Sequence, residues 1–204
     1  MKSIPCRLLL LLFLIAPALQ ISAVETAAQI LERCARKVNE SPSVTLNFTL
    51  AYANSKSDCR LVISRQKFCL TSSELEVWYD GVTQWAYSAS ENEVSITDPT
   101  PEEQLETNPF AILNHFSDAY TVRRLSGNSL DVELVAKNRH ASIRKAVLTV
   151  NSRTYLPEKL IVTMNNGRTF SATVTSASVG KNLPASTFVF NKTLHPSVVI
   201  VDLR

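Results

Sequence analysis

The segment from residue 77 to residue 116 constrains the fold more than any other part of the chain. It contains a hairpin signal, a third strand and the start signals of two short helices. The hairpin signal is Asp80-Gly81, which stands between two runs of aromatic and β-branched residues, and glycine readily takes the positive φ that such a turn needs. The segment therefore predicts antiparallel strands followed at once by helices.

The strands of this hairpin are apolar on both faces. Period-two alternation places Trp78, Trp85 and Tyr87 on one face and Val77 and Tyr79 on the other. One face must therefore be covered by another part of the chain. Alternation alone does not tell which face points inward.

Two helix start signals follow the third strand. Thr100 and Glu103 form a predicted capping box with Pro101 at the first helical position, and Asn108-Pro109 repeats the start signal. The second helix is apolar around more of its circumference than one narrow stripe. These helices either fill an ordinary core or form a hydrophobic lid over a concave sheet, and the apolar residues concerned are Leu105, Phe110, Ile112, Leu113 and Phe116.

The N-terminus has the pattern of a secretory signal peptide. A basic start precedes an apolar run at 8–19 that is too short to span a bilayer, and small residues follow it. We expect cleavage after Ala23, so that residues 1–23 are the signal peptide and residues 24–204 form one exported domain without a linker or repeat.

The charge of the chain gives no indication of nucleic-acid binding. The chain has 21 basic and 18 acidic residues, and removal of Lys2 and Arg7 with the signal peptide leaves a net charge of +1. A nucleic-acid interface would need basic residues clustered on one face, and no such cluster is present in the sequence. We expect a monomer that does not bind nucleic acid.

Three cysteines follow the expected cleavage site, so at least one thiol has no partner within the chain. Strand alternation places Cys69 on the face opposite to Cys59. Cys34 falls on the apolar stripe of the first helix, which leaves two possibilities open: a Cys34–Cys59 disulfide or three free buried thiols.

The rest of the chain is dominated by period-two segments. Apolar residues at helical spacing predict one amphipathic helix over residues 25–39, and Phe188-Val189-Phe190 with the apolar run 198–201 predicts a last helical turn and an edge strand. About ten or eleven strands in one domain form a large antiparallel sheet that must curl. The predicted strands are 44–52, 58–64, 67–72, 74–79, 83–88, 93–97, 119–125, 130–136, 143–150, 158–164 and 168–176.

The sequence contains no recognisable catalytic constellation. His115, His140 and His195 have neighbours neither at metal-ligand spacing nor in a nucleophile motif. Four glycines do not form a phosphate-binding loop, and the turn position of Asp80 explains its carboxylate. We therefore expect no catalytic residue, no metal and no cofactor, and no enzymatic activity.

The order of motifs resembles that of the periplasmic outer-membrane lipoprotein carrier family, the LolA-like proteins. The motifs are D-G-x-T-x-W-x-Y at 80–87, E-V-x-I at 93–96, P-T-P-E-E at 99–103, N-P-F-A-I-L at 108–113 and F-V-F…P…V-V-I-V-D-L-R at the C-terminus. The resemblance covers nearly the whole mature chain.

The resemblance implies a fold and a role. The fold is mainly β (α+β), an unclosed antiparallel β-barrel whose concave apolar face is covered by a lid of short helices. The role is that of a carrier in the periplasm of a Gram-negative bacterium, which shields the acyl chains of lipoproteins on their way from an inner-membrane donor complex to an outer-membrane acceptor.

The resemblance also implies where the acyl chains and the lid latch lie. Family members use an arginine of an early strand to bond the backbone of the closed lid, and the matching residue is Arg65; an ordinary exposed turn residue is the alternative. The expected cavity residues are Leu46, Phe48, Leu50, Leu61, Ile63, Phe68, Trp85 and Tyr87.

Two other functions stay open. The first is a carrier or sensor of another lipid or glycolipid on the same fold. The second is a non-enzymatic regulatory β-domain that binds a protein partner, in which case side chains would fill the interior.

Overall fold

The computed structural model describes residues 24–204, so the expected signal peptide lies outside the described residues. The helices are α1 (Ala27–Glu40), α2 (Pro101–Thr107) and α3 (Ile112–Ala119), with 3₁₀ turns at Pro109–Ala111, Ala185–Phe188 and Lys192–Leu194. The strands are β1 (Ser43–Tyr52), β2 (Ser55–Ser64), β3 (Lys67–Thr71), β4 (Leu75–Tyr79), β5 (Gln84–Ser88), β6 (Glu93–Thr97), β7 (Tyr120–Arg124), β8 (Leu130–Ala136), β9 (Ile143–Val150), β10 (Pro157–Met164), β11 (Thr169–Gly180) and β12 (Val199–Asp202).

All twelve strands belong to one sheet, in the order β12-β6-β5-β4-β3-β2-β1-β11-β10-β9-β8-β7. Strands β1–β6 and β7–β11 form two antiparallel runs that join where β1 pairs with β11. The predicted fold class is thereby confirmed, with two differences. The strand count is twelve, and β12 pairs with β6 in parallel rather than antiparallel.

Helix α1 lies against the inner face of the sheet and shows that the sheet is curled. It begins after Thr26, whose capping box with Gln29 explains why the helix starts two residues later than predicted. The helix contacts both β2 and β7, which are separated by five strands in the sheet order. Six strand spacings would cover about 29 Å in a flat sheet, far more than the diameter of a helix, about 10–12 Å. The sheet therefore wraps around α1.

The hairpin of β4 and β5 has the predicted faces but a longer turn. Trp78 pairs with Trp85, and the loop comprises residues 80–83, with Gly81 at φ 105°. The Asp80 carboxylate accepts hydrogen bonds at 2.9 Å from the amides of Val82 and Thr83. The aspartate therefore closes the turn, as its position in the sequence predicts.

The C-terminal segment covers the outer face of this hairpin. Phe188 is buried, with 1 % of its surface exposed, and the Phe190 ring lies 5.4 Å from that of Trp78. His195 packs 4.5 Å from the Tyr87 ring and stacks on Phe190 at 5.2 Å. The hairpin is thus apolar on both faces because the C-terminal segment packs on one and the core on the other.

The three cysteines among the described residues are free thiols, so no Cys34–Cys59 disulfide is present. The register confirms that Cys69, opposite Val62, lies on the other face from Leu61 and Leu70, which pair with each other. Burial raises the pKa of the Cys34 thiol to about 12. Cys34 therefore serves the core as a small apolar side chain.

Candidate functional site

The inner face of the sheet carries a continuous apolar surface. The pairs Leu46–Leu61 and Ile63–Phe68 lie directly opposite each other on neighbouring strands, and Leu50 is half-buried at the edge of this surface. Of the expected cavity residues, the following are buried in the core: Leu46, Phe48, Leu61, Ile63 and Phe68. Register and alternation together bring these distant segments onto one face.

The segment from Pro109 to Ala119 inserts side chains into this surface. Phe110 lies edge-to-face on Phe48 with ring centroids 5.5 Å apart, which joins the segment to the centre of β1. The Asn108 side chain starts the 3₁₀ turn by accepting a hydrogen bond from the Phe110 amide at 3.1 Å. The side chains of this segment that are buried in the core are Phe110, Ile112, Leu113 and Phe116.

Helix α2 is held differently, because none of its residues is buried. Its capping box is the predicted one, with the Glu103 carboxylate accepting at 2.7 Å from the Thr100 amide. Leu105 is only partly buried against the core. The helix therefore rests on the rest of the molecule mainly through polar contacts. We call α2, the 3₁₀ turn and α3 together the lid.

Two side-chain hydrogen bonds join α2 to the hairpin. Gln104 Nε2 donates to Tyr79 Oη at 3.0 Å, and Thr107 Oγ1 donates to the buried Gln84 side chain at 2.8 Å. Burial raises the pKa of the Tyr79 phenol, so the group stays protonated and donates in turn to the Gly81 carbonyl at 2.9 Å. We refer to the two bonds from Gln104 and Thr107 as the polar latch.

Sequence reasoning did not find the polar latch. Gln104 and Tyr79 are 25 positions apart, and Thr107 and Gln84 are 23 apart. A glutamine on a short exposed helix carries no local signal of such a contact. A buried glutamine in a hairpin of aromatic residues is the one weak signal, because a buried amide must find a hydrogen-bond partner.

The assignment of Trp85 and Tyr87 to the cavity is wrong. Trp85 pairs with Trp78 and Tyr87 pairs with Glu76, so both lie on the outer face, under the C-terminal segment. The inner face of the same hairpin instead carries Val77, of which 0 % is exposed. The prediction failed because this hairpin is apolar on both faces, so that alternation could not tell which face points inward.

Arg65 does not act as the expected latch in this structure. It occupies the two-residue turn between β2 and β3 at φ 57°, and it is exposed. No hydrogen bond of the described residues joins its guanidinium to the lid backbone. The side-chain hydrogen bonds that join α2 to the hairpin come from Gln104 and Thr107 instead.

The buried side chains of the lid pack on the apolar inner face, as the protein-binding alternative predicts, and two concavities lie at the edges of the lid. One concavity of about 530 Å³ lies between the lid and the β8–β9 loop, bordered by Leu105, Ile112, Tyr120 and Ile143. A second, of about 660 Å³, lies between α1, the β2–β3 turn and the lid. Hydrocarbon would reach the inner face only where the lid moves away.

Two further features bear on chemistry. Among residues 24–204, no group of three or more His, Cys, Asp or Glu side chains is placed to hold a metal ion. In the same part of the chain, no helix has the length and apolar composition required to cross a membrane.

An unclosed sheet curled around an apolar interior, with short helices packed over it, is the architecture of a lidded half-barrel. Residues 19–168 match the family model described as outer membrane lipoprotein carrier protein LolA, and the chain belongs to this family. No curated protein sequence matches it significantly.

Solved structures align with this chain at low sequence identity, and the first of those that follow shows the same fold. An uncharacterized conserved protein from Thermus thermophilus aligns at a TM-score of 0.59 with 12% identity, over 86% of this chain and 98% of that one. A LolA superfamily protein from Nitrosomonas europaea aligns at 0.43 with 14% identity, over 82% and 99%. MucB, in its complex with MucA from Pseudomonas aeruginosa, aligns at 0.43 with 15% identity, over 81% and 61%.

Proposed function

We propose that the protein is a periplasmic carrier that binds the acyl chains of lipoproteins between the sheet and the lid and carries them toward the outer membrane. One observation supports this most: the lid buries four large apolar side chains, Phe110, Ile112, Leu113 and Phe116, on the inner face, while α2 buries none. The 3₁₀ turn and α3 thus cover the apolar surface, while α2 is joined to the sheet mainly through hydrogen bonds. The protein binds its cargo and does not transform it.

The free energy gained by burying the lid side chains is comparable to that gained by burying an acyl chain in their place. Burying four large apolar side chains is worth roughly 6–12 kcal/mol at about 1.5–3 kcal/mol each. Transferring one sixteen-carbon acyl chain from water is worth on the order of 12 kcal/mol at about 0.8 kcal/mol per methylene. Hydrocarbon can therefore replace the lid without a large net change, which lets the carrier both load and release.

The proposed carrier consists of residues 24–204 as one domain, exported after removal of residues 1–23. It works as a monomer between an inner-membrane donor complex and an outer-membrane acceptor. The lipid-contacting residues are the buried residues of the inner face, together with Leu50 and the lid residues that the lipid displaces.

A synthetic peptide with an acylated N-terminal cysteine tests this function directly. We expect it to displace a neutral naphthylamine probe from the purified protein, while the same peptide without acyl chains does not. Mass spectrometry of lipid that co-purifies from the periplasm would identify a different lipid cargo. If neither peptide displaces the probe, the carrier function is wrong. If both peptides bind equally, the protein recognises peptide rather than lipid.

A further inference from the structure

The two end strands of the sheet are protected to different degrees. Strand β7 is covered, because α1 and α3 both contact it and Arg124 Nη1 donates to the Glu25 carbonyl at 3.0 Å, just ahead of α1. Strand β12 pairs with β6 on one side only, and it contains neither lysine nor proline. Proteins usually protect an end strand with such residues or with a covering segment. The open edge of β12 is therefore a candidate binding surface.

The ladder between β12 and β6 shows which backbone groups face the open edge. The amides of Val199 and Leu203 both donate to carbonyls on the β6 side, at 3.0 Å and 2.9 Å. In a parallel pair, every second residue of a strand bonds to the same neighbour, so Val201 bonds to β6 as well. The amide and carbonyl groups of Ile200 and Asp202 consequently point away from β6, toward the open edge.

Apolar side chains flank these backbone groups. The exposed fractions of Val199, Ile200 and Leu203 are 55 %, 41 % and 63 %. A strand added beside β12 would cover part of this apolar surface and would give hydrogen-bond partners to Ile200 and Asp202. Such an edge selects an extended polypeptide, because an extended backbone presents donors and acceptors at the matching spacing.

The open edge also ends close to the lid. The Leu203 amide donates to the carbonyl of Ile96, and Ile96 precedes Pro101, the first residue of α2, by five positions. Five residues span at most about 18 Å, at about 3.6 Å each. A polypeptide attached to an acyl group under the lid can therefore reach β12 through a short extended segment.

The side chains of β12 do not favour pairing with a second copy of the chain. A register that uses both Ile200 and Asp202 in two antiparallel copies sets the Asp202 carboxylate of each copy directly opposite Ile200 of the other. The Asp202 carboxylate stays charged, because its hydrogen bonds with Arg204 lower its pKa to about 2. A partner with an apolar residue opposite Ile200 fits this edge better.

We propose that the open edge of β12 binds the polypeptide part of the cargo as an added strand, while the acyl chains lie under the lid. This rests on the proposed carrier function and adds a second point of recognition to it. A four-residue edge holds a peptide only weakly by itself. The acyl chains raise the local concentration of the attached peptide, so the edge adds affinity for cargo whose first residues can extend.

The test uses acylated peptides with backbone changes on the full mature protein. Each peptide has an acylated N-terminal cysteine followed by alternating threonine and valine, and it displaces the neutral naphthylamine probe below the concentration at which it aggregates. One peptide is unmodified, and two carry N-methyl groups on one or the other alternate set of residues. We expect one methylated peptide to bind about tenfold more weakly than the unmodified peptide, since hydrogen bonds to β12 are lost, and the other to bind as tightly.

Two variants at one position assign this difference to β12. Ile200→Pro removes the amide that faces the open edge and leaves the ladder to β6 intact, so its melting temperature should stay near that of the parent protein. We expect it to bind the unmodified peptide about tenfold more weakly and to lose the difference between the methylated peptides. The matched variant Ile200→Ala keeps the amide and should keep that difference.

The outcomes separate this proposal from the carrier function. Equal binding of the three acylated peptides, or equal weakening by both methylated sets, overturns strand addition and leaves the carrier intact. So does a difference between the methylated peptides that persists in Ile200→Pro. A dimer of the parent protein that Ile200→Pro converts to a monomer assigns the edge to a second copy and overturns the proposal. If no acylated peptide displaces the probe, the carrier function fails and this proposal fails with it.

Discussion

Gln104 of α2 donates its side-chain amide to the phenol oxygen of Tyr79 across 3.0 Å, and this bond joins the lid to the sheet. Together with the bond from Thr107 to Gln84 at 2.8 Å, it is the polar latch of a helix that buries no residue of its own. The closed state of the lid therefore depends on a few hydrogen bonds at α2 and on apolar packing further along, at the 3₁₀ turn and α3.

Breaking the latch should favour the open lid. We expect Gln104→Ala to raise the apparent affinity for a neutral apolar probe by about fivefold, because one net hydrogen bond contributes about 1 kcal/mol to the closed state. Titration of each variant with the fluorescent probe measures this affinity. Glu106→Ala, at an exposed position of the same helix, should leave the affinity unchanged. An unaltered affinity in Gln104→Ala would show that the latch does not control access.

Phe110 should control lid opening more strongly. Phe110→Ala removes the edge-to-face contact with Phe48 and leaves a cavity, which costs the closed lid about 3–5 kcal/mol. We expect amide hydrogens of residues 101–119 to exchange faster while the central strands keep their protection.

The matched variant for that experiment is Phe188→Ala, which removes an equally buried ring from the outer face. It should lower global stability by a similar amount, without a selective effect on the lid. Equal patterns of exchange in the two variants would contradict a lid that opens independently of the sheet.

The Cys34 thiol should make stability fall at high pH. Its pKa is raised by burial from the ordinary value of 9.0 to about 12, so the thiol is neutral in both states below pH 9 and ionises first in the unfolded chain. The stability that the neutral buried thiol contributes to the folded state is fully present below pH 9 and is lost as the pH rises toward 12. The loss amounts to roughly 1.4 kcal/mol by pH 10.

Urea unfolding of Cys34→Ala at pH 8 and pH 10 measures this effect. Between the two pH values the variant should lose about 1.4 kcal/mol less free energy of unfolding than the parent protein. Other ionisable groups contribute equally to both proteins. The same loss in parent and variant would mean that the thiol is not shielded from water.

The packing of Phe190 on Trp78, on the outer face of the hairpin, should not affect lipid binding. Phe190→Ala uncovers the Trp78 ring, 5.4 Å away, so we expect tryptophan emission to shift to longer wavelengths. The affinity for the apolar probe should stay within about twofold, since Trp78 faces away from the lid. Leu194→Ala, already 74 % exposed, is the control for the emission shift. A large loss of probe binding in Phe190→Ala would place the probe on the outer face.

Local patterns predicted much of this fold. Alternation in residues 44–52 and 67–72 placed Leu46, Phe48 and Phe68 on one apolar face, and capping chemistry at Thr100 and Asn108 gave the helix starts. These features depend on residues within a few positions of one another, for which period and capping rules are sufficient.

The site was less predictable because it depends on contacts between distant segments. The faces of the hairpin are equally apolar, so only the packing of Phe188 and Phe190 shows that Trp85 and Tyr87 lie outside the core. The latch partners of Gln104 and Thr107 are more than twenty positions away. Arg65, to which the family resemblance assigns the lid latch, is exposed and has no hydrogen bond to the lid among the described residues.

The sheet ends at β7 on one side and at β12 on the other, and these two strands do not pair. A closed barrel has a circumference fixed by its ladder of hydrogen bonds, whereas here the gap between the end strands can widen or narrow while every ladder stays intact. In the proposed carrier, the number of hydrocarbon tails that the interior accommodates would then depend on how far the two ends of the sheet separate.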